Sequence, residues 1–131
     1  MAYTDIDKSD DYFNTLLYTG NGSNRNITGV GFQPDWTWIK DRGSSDNHVL
    51  TDAVRGANKQ IFTNLTETEL SGTNNLTAFG SDGFSLGSDG GTNGNGRTFA
   101  SWNWLAANGT ASNSNGNITS TVSASATAGF S

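Results

Sequence analysis

The chain has 131 residues, the length of one domain, with 33% apolar and 15% charged residues and a polar balance of Gly, Asn, Ser and Thr. Its net charge of −5 disfavours nucleic-acid partners, because an acidic surface repels phosphate. It has no cysteine, which excludes disulfides, thiolate metal sites and a cysteine nucleophile, and no apolar run approaches the ~18 residues of a membrane span.

Residues 1–11 (MAYTDIDKSDD) read as an extended, solvated leader. They lack the basic start and apolar stretch of a signal peptide. The ordered body is expected to begin at Tyr12, with a strand over 12–18 closed by the turn residues Thr19-Gly20-Asn21-Gly22. A short strand over 26–30 follows, and then Pro34, the single proline, which suits a strand entry. Residues 35–40 (DWTWIK) form the strongest predicted strand, with Trp36 and Trp38 on one face and Thr37 and Ile39 on the other.

Further strands are predicted over 48–52 and 59–63. Thr66 and Glu69 have capping-box spacing, so 66–70 is expected to make about one helical turn. Residues 76–79 and 83–87 form a predicted hairpin around Gly80-Ser81-Asp82-Gly83. Residues 87–96 (GSDGGTNGNG) read as a flexible loop, and 97–104 as the last core strand, carrying Trp102 and Trp104 on a shared face. Residues 106–117 have linker composition, and 118–125 read as an edge strand or extended tail. Many short strands and almost no helix indicate an all-β fold, an antiparallel β-sandwich or jelly roll.

The 11% aromatic content argues for a packed core in so polar a chain, and the four tryptophans are expected to fill it. The competing reading places them outside, as stacking surfaces for sugars. Catalysis is not expected. His48 is the single histidine, there is no Gly-x-Ser-x-Gly elbow, and the two glutamates, Glu67 and Glu69, sit two apart on one turn. The local set Asp41, Arg42, Asp46, His48, Asp52 and Arg55 reads first as a salt-bridged loop and second as a polar pocket. Candidate contact residues for a glycan or partner are Trp36, Asn47, His48, Asp52, Arg55 and Asn93. No metal site or cofactor is expected. Asp82, Asp89 and Asn93 offer oxygen atoms that calcium favours, but turn chemistry explains Asp-Gly and Asn-Gly without an ion.

One combination of motifs is specific. It comprises Tyr12-Phe13-Asn14-Thr15, Tyr18-Thr19-Gly20-Asn21-Gly22, Ile27-Thr28-Gly29-Val30-Gly31-Phe32-Gln33-Pro34-Asp35, Thr37-Trp38-Ile39-Lys40 and Arg42. It continues through His48-Val49-Leu50, Asp52, Val54-Arg55-Gly56-Ala57, Ser81-Asp82-Gly83-Phe84, Leu86-Gly87, Ala100 and Trp102-Asn103-Trp104. Over residues 12–107 this resembles a domain of unknown function from structural proteins of marine phages. The resemblance implies a lectin-like, concanavalin-like β-sandwich in a tail fibre or other virion appendage. It implies no catalytic residues.

The expected organisation is a leader over 1–11 that docks to a virion, a sandwich over 12–107, and a linker and strand-like tail over 108–131. The expected function is a structural module of a phage appendage, located in the virion. Its partners would be other copies of itself, as a homotrimer, and other virion proteins. A host-glycan-binding module and a capsid decoration protein are the alternatives. Neither nucleic-acid binding nor membrane insertion is expected.

Overall fold

The computed structural model describes residue 6 and residues 8–131. It is an antiparallel β-sandwich, as the pattern of short strands implies. The strands are β1 (Phe13–Thr19), β2 (Arg25–Thr28), β3 (Trp36–Asp41), β4 (Val49–Asp52), β5 (Lys59–Phe62), β6 (Leu70–Ser71), β7 (Leu76–Gly80), β8 (Gly83–Leu86), β9 (Thr98–Trp104), β10 (Ala111–Asn113) and β11 (Ser120–Val122). Six of them make the larger sheet, in the order β1-β9-β3-β4-β5-β6. The order β2-β8-β7 makes the smaller sheet, and β10 and β11 pair as a separate hairpin. The leader lies largely outside the described residues. Its end, Ser9–Asp11, forms a single 3-10 turn against β1.

The side-chain period of two decides what each strand buries. Along β3, Thr37, Ile39 and Asp41 are buried while Trp36, Trp38 and Lys40 are partly exposed. Its neighbour β9 buries Phe99, Ser101 and Asn103 at the matching register positions. The inner face of the larger sheet meets Ile27, Leu76, Phe84 and Leu86 of the smaller one, and Ile39 and Phe99 complete the apolar cluster. Tyr18 stacks on Phe99 with ring centroids 5.2 Å apart. Each fully buried side chain of this kind contributes roughly 1.5–3 kcal/mol.

Part of the interior is polar and satisfied. Asn103 accepts from Thr37 Oγ1 (3.2 Å) and donates to Asn14 O (3.2 Å) and Ser101 Oγ (3.1 Å). This network ties three neighbouring strands at one level, where an unpaired amide would cost about 1–3 kcal/mol. The β7–β8 hairpin turns on Ser81 and Asp82, as its Gly-rich sequence predicts. Gly83, at φ +146°, lets the backbone of Ile27 approach closely, a place no side chain could fill.

The structure corrects four expectations. Residues 66–69 form no helix. Leu70–Ser71 instead pairs with β5, whose open edge satisfies more backbone groups than one isolated helical turn could. Among the described residues the one α-helix, α1, spans Gly90–Asn93, inside the segment that reads as a flexible loop. Asp89 caps it by accepting from Gly91 N (2.9 Å). That segment is firmly anchored, because Asn93 is fully buried and donates to Ser23 O (2.8 Å) and Gly87 O (2.7 Å).

Of the two readings of residues 118–125, the strand holds, as β11 paired with β10, and the C-terminal residues are not a trailing tail. After the β10–β11 hairpin the chain folds back on the sandwich, and Ala107 N donates to Ser123 Oγ (3.1 Å). Finally, the tryptophans do not fill the core. All four lie on the outer face of the larger sheet. The inner positions of β3 and β9 hold Thr37, Ile39, Asp41, Phe99, Ser101 and Asn103, and the smaller sheet supplies much of the remaining bulk, so indoles there would overpack the interior.

Candidate functional site

The outer face of the larger sheet is an aromatic surface. Strand pairing sets Trp36 beside Trp104 and Trp38 beside Trp102 on β3 and β9. Ring centroids are 4.4 Å apart in the first pair and 5.5 Å in the second, both tilted by 47°. Phe13 of β1 extends the row, 4.7 Å from Trp104. Four indoles on two central strands can only share a face because each pair is separated by one residue.

The two ends of this surface differ. Phe130, from the folded-back C-terminal segment, covers Trp36 and Trp104 at 5.7 and 6.1 Å. A cleft of about 470 Å³ runs beneath that segment, lined by Asp35, Trp36, Asp52, Val54, Val122 and Phe130 among others. The Trp38–Trp102 end carries the His48 ring, 5.7 Å from Trp38. Nearby, Leu17 of β1 is 66% exposed. Lys40 is the charged residue on this part of the face, and its ammonium is taken up by Asp41 O (2.6 Å) and Ser44 O (2.8 Å). The surface is therefore largely apolar and aromatic, with the Lys40 ammonium held by backbone carbonyls.

The six sequence-predicted contact residues fall in different places. Trp36, His48, Asp52 and Arg55 belong to the outer side of the sheet. Trp36 sits directly opposite Asp52 across the β3–β4 pair. Arg55 binds Asp52 Oδ2 (2.5 Å) and Glu69 Oε2 (3.2 Å), and Lys59 also reaches Glu69. These four charges neutralise one another and pin the 52–59 turn to β6. Asn47 lies in the loop before β4, on the other side of the sheet beside Val49 and Phe62, and its Oδ1 accepts from Asn64 Nδ2 (3.1 Å). Asn93 is fully buried and holds loops together, so it offers no contact surface.

The local charge set divides in the same way. Arg97 ties together Asp41 (2.5 Å), Asp46 and Gly90 O (2.7 Å). Burial would push the Asp41 carboxyl up, but the Gly43 amide and Arg97 outweigh it and hold the carboxyl below its usual range. The amides of Gly31 and Gly29 likewise hold the Asp82 carboxyl low, by donating to it at 2.7 and 3.0 Å. Asp82 and Asp89 thus cap loops, and among the described residues no group of three or more acidic or histidine side chains could gather around a metal ion. His48 makes its ring contact with Trp38, and no carboxylate pairs with it among the described residues.

Sequence reasoning missed Phe13 and Phe130 as members of the aromatic surface. Phe130 had one available signal: it is the single aromatic residue after Trp104, in a stretch of small polar residues.

A family model for a domain of unknown function, DUF7483, matches residues 8–131, and the chain belongs to that family. The match includes the C-terminal segment that covers Trp36. No curated protein and no solved structure matches the chain.

Proposed function

We propose that this DUF7483 domain is a structural module of a phage virion appendage, a tail fibre or capsid-surface fibre, acting through assembly and surface contact. The observation that carries the proposal is the tryptophan surface. Folding alone gives no reason to keep Trp38, Trp102 and Leu17 outside a core that is already filled. The four indoles are part-exposed and Leu17 beside them is exposed, and a contiguous apolar face of this kind on a small domain marks an interaction site. Trp is also among the residues enriched at the energetic centres of interfaces. The motif resemblance supplies the virion context, and symmetric assembly makes a homotrimer the expected state.

The test is to raise an antibody against the purified domain and image gold-labelled particles. Label at appendages supports the reading, and label confined to the lysate overturns it. Mass measurement by light scattering should give three chains rather than 13.8 kDa. A Trp38→Ala, Trp102→Ala double variant should shift that mass to one chain while the far-ultraviolet spectrum stays unchanged.

A further inference from the structure

A second concavity lies on the other side of the larger sheet, away from the tryptophans. It encloses about 350 Å³, within the range of small-molecule sites, where β4 and β5 pass between two loops. One wall is Asp46 and Asn47, the floor is Val49, Gln60 and Phe62, and the far wall is Asp89 beside α1.

Four of these side chains are held by bonds inside the protein, in each case through one of their two polar atoms; Asp89 Oδ1 also accepts from Thr92 Oγ1 (3.4 Å). Asn47 Oδ1 accepts from Asn64 Nδ2 (3.1 Å), and Gln60 Oε1 accepts from Asn75 Nδ2 (2.7 Å). Asp46 Oδ2 is bound by Arg97, and Asp89 Oδ1 accepts from Gly91 N (2.9 Å). That leaves Asn47 Nδ2, Gln60 Nε2, Asp46 Oδ1 and Asp89 Oδ2 without a partner among the described residues. The set is two amide donors and two carboxylate acceptors, oriented by internal bonds around a partly exposed Phe62 ring.

We infer that this cavity binds a single neutral sugar residue of a glycan. A sugar hydroxyl donates and accepts at once, so it satisfies carboxylate oxygens and amide N–H groups together. The C–H face of a pyranose packs on an aromatic ring. Among the described residues the Asp89 carboxylate has no cationic partner, so it opposes phosphate, sulfate and carboxylate ligands. This site is separate from the tryptophan surface and stands whether or not the domain is built into a virion.

The test uses the full chain, labelled with nitrogen-15. Methyl glycosides of glucose, galactose, mannose and N-acetylglucosamine are titrated to tens of millimolar while the side-chain amide signals are followed. At least one sugar should shift the Asn47 and Gln60 amides, with a dissociation constant on the order of 1 mM. Asn47→Asp and Gln60→Glu keep the oxygen that makes each internal bond and replace the free donor with a charged acceptor, which a sugar hydroxyl can no longer accept from. Each should weaken binding about tenfold, with the melting temperature retained. The inference is overturned if none of the four sugars moves these signals. It is equally overturned if shifts are confined to the indole N–H groups, or if both variants bind like the parent chain.

Discussion

Phe130 lies over Trp36 with ring centroids 5.7 Å apart, although 94 residues of sequence separate them. This contact joins the C-terminal segment to the centre of the larger sheet. It makes that segment part of the domain and covers one half of the aromatic surface, while the Trp38–Trp102 half is part-exposed.

Replacing Phe130 with Ala should uncover Trp36 and Trp104. Tryptophan emission should move to longer wavelength and become more sensitive to acrylamide quenching. The stability loss should be about 1–2 kcal/mol in urea unfolding, since the ring is only partly buried. Unchanged quenching would show that the segment does not rest there in solution.

Asn93 tests the anchoring of the α1 loop. Its amide donates to Asn21 Oδ1, Ser23 O and Gly87 O, and its Oδ1 accepts from Asn21 N. Asn93→Ala leaves several buried groups without partners and should cost roughly 2–4 kcal/mol. Hydrogen exchange should accelerate in residues 20–24 and 87–96 before it does elsewhere. A uniform change across the sandwich would contradict this local role.

Gly83 should tolerate no side chain. An added Cβ would run into Ile27 O, and φ of +146° strains any other residue. Gly83→Ala should cost about 2–4 kcal/mol, because both a clash and a backbone penalty apply. Gly129→Ala, at φ +64° with open space around it, should cost about 1 kcal/mol.

Acid should destabilise the fold through Asp41 and Asp82. Both carboxyls are held below the ordinary aspartate value of 3.8, so near that pH the unfolded chain binds more protons than the folded one. Their stabilisation is fully present above the unfolded value and is lost as pH falls through the lower, folded values. Melting temperature should therefore change little through these groups from pH 7 to 5 and fall below pH 4. Asp82→Asn should flatten that fall. A parent curve that stays level to pH 2 would contradict the assignment.

The Arg55 cluster should matter little for stability. Glu69 is part-exposed and bridges Arg55 and Lys59 in solvent. Glu69→Gln should change stability by less than about 1 kcal/mol at physiological salt. A larger loss would show that the cluster is shielded by a partner.

The strand pattern was legible from sequence because alternation is local. Residues 35–40 and 97–104 carry their period of two openly, and Gly80 to Gly83 marks its own turn. The sequence by itself determined that Trp36 and Trp38 share a face, since the chain geometry of one strand requires it. It did not determine which face is buried. That depended on what the smaller sheet brings against β3 and β9, a contact between residues far apart in sequence. The same holds for Leu70–Ser71, where an open sheet edge outweighed a capping signal, and for 87–96, where burial of Asn93 converted a Gly-rich stretch into an anchor. Only the tertiary structure placed Phe130 over Trp36, because a contact across that span of chain leaves no local signal.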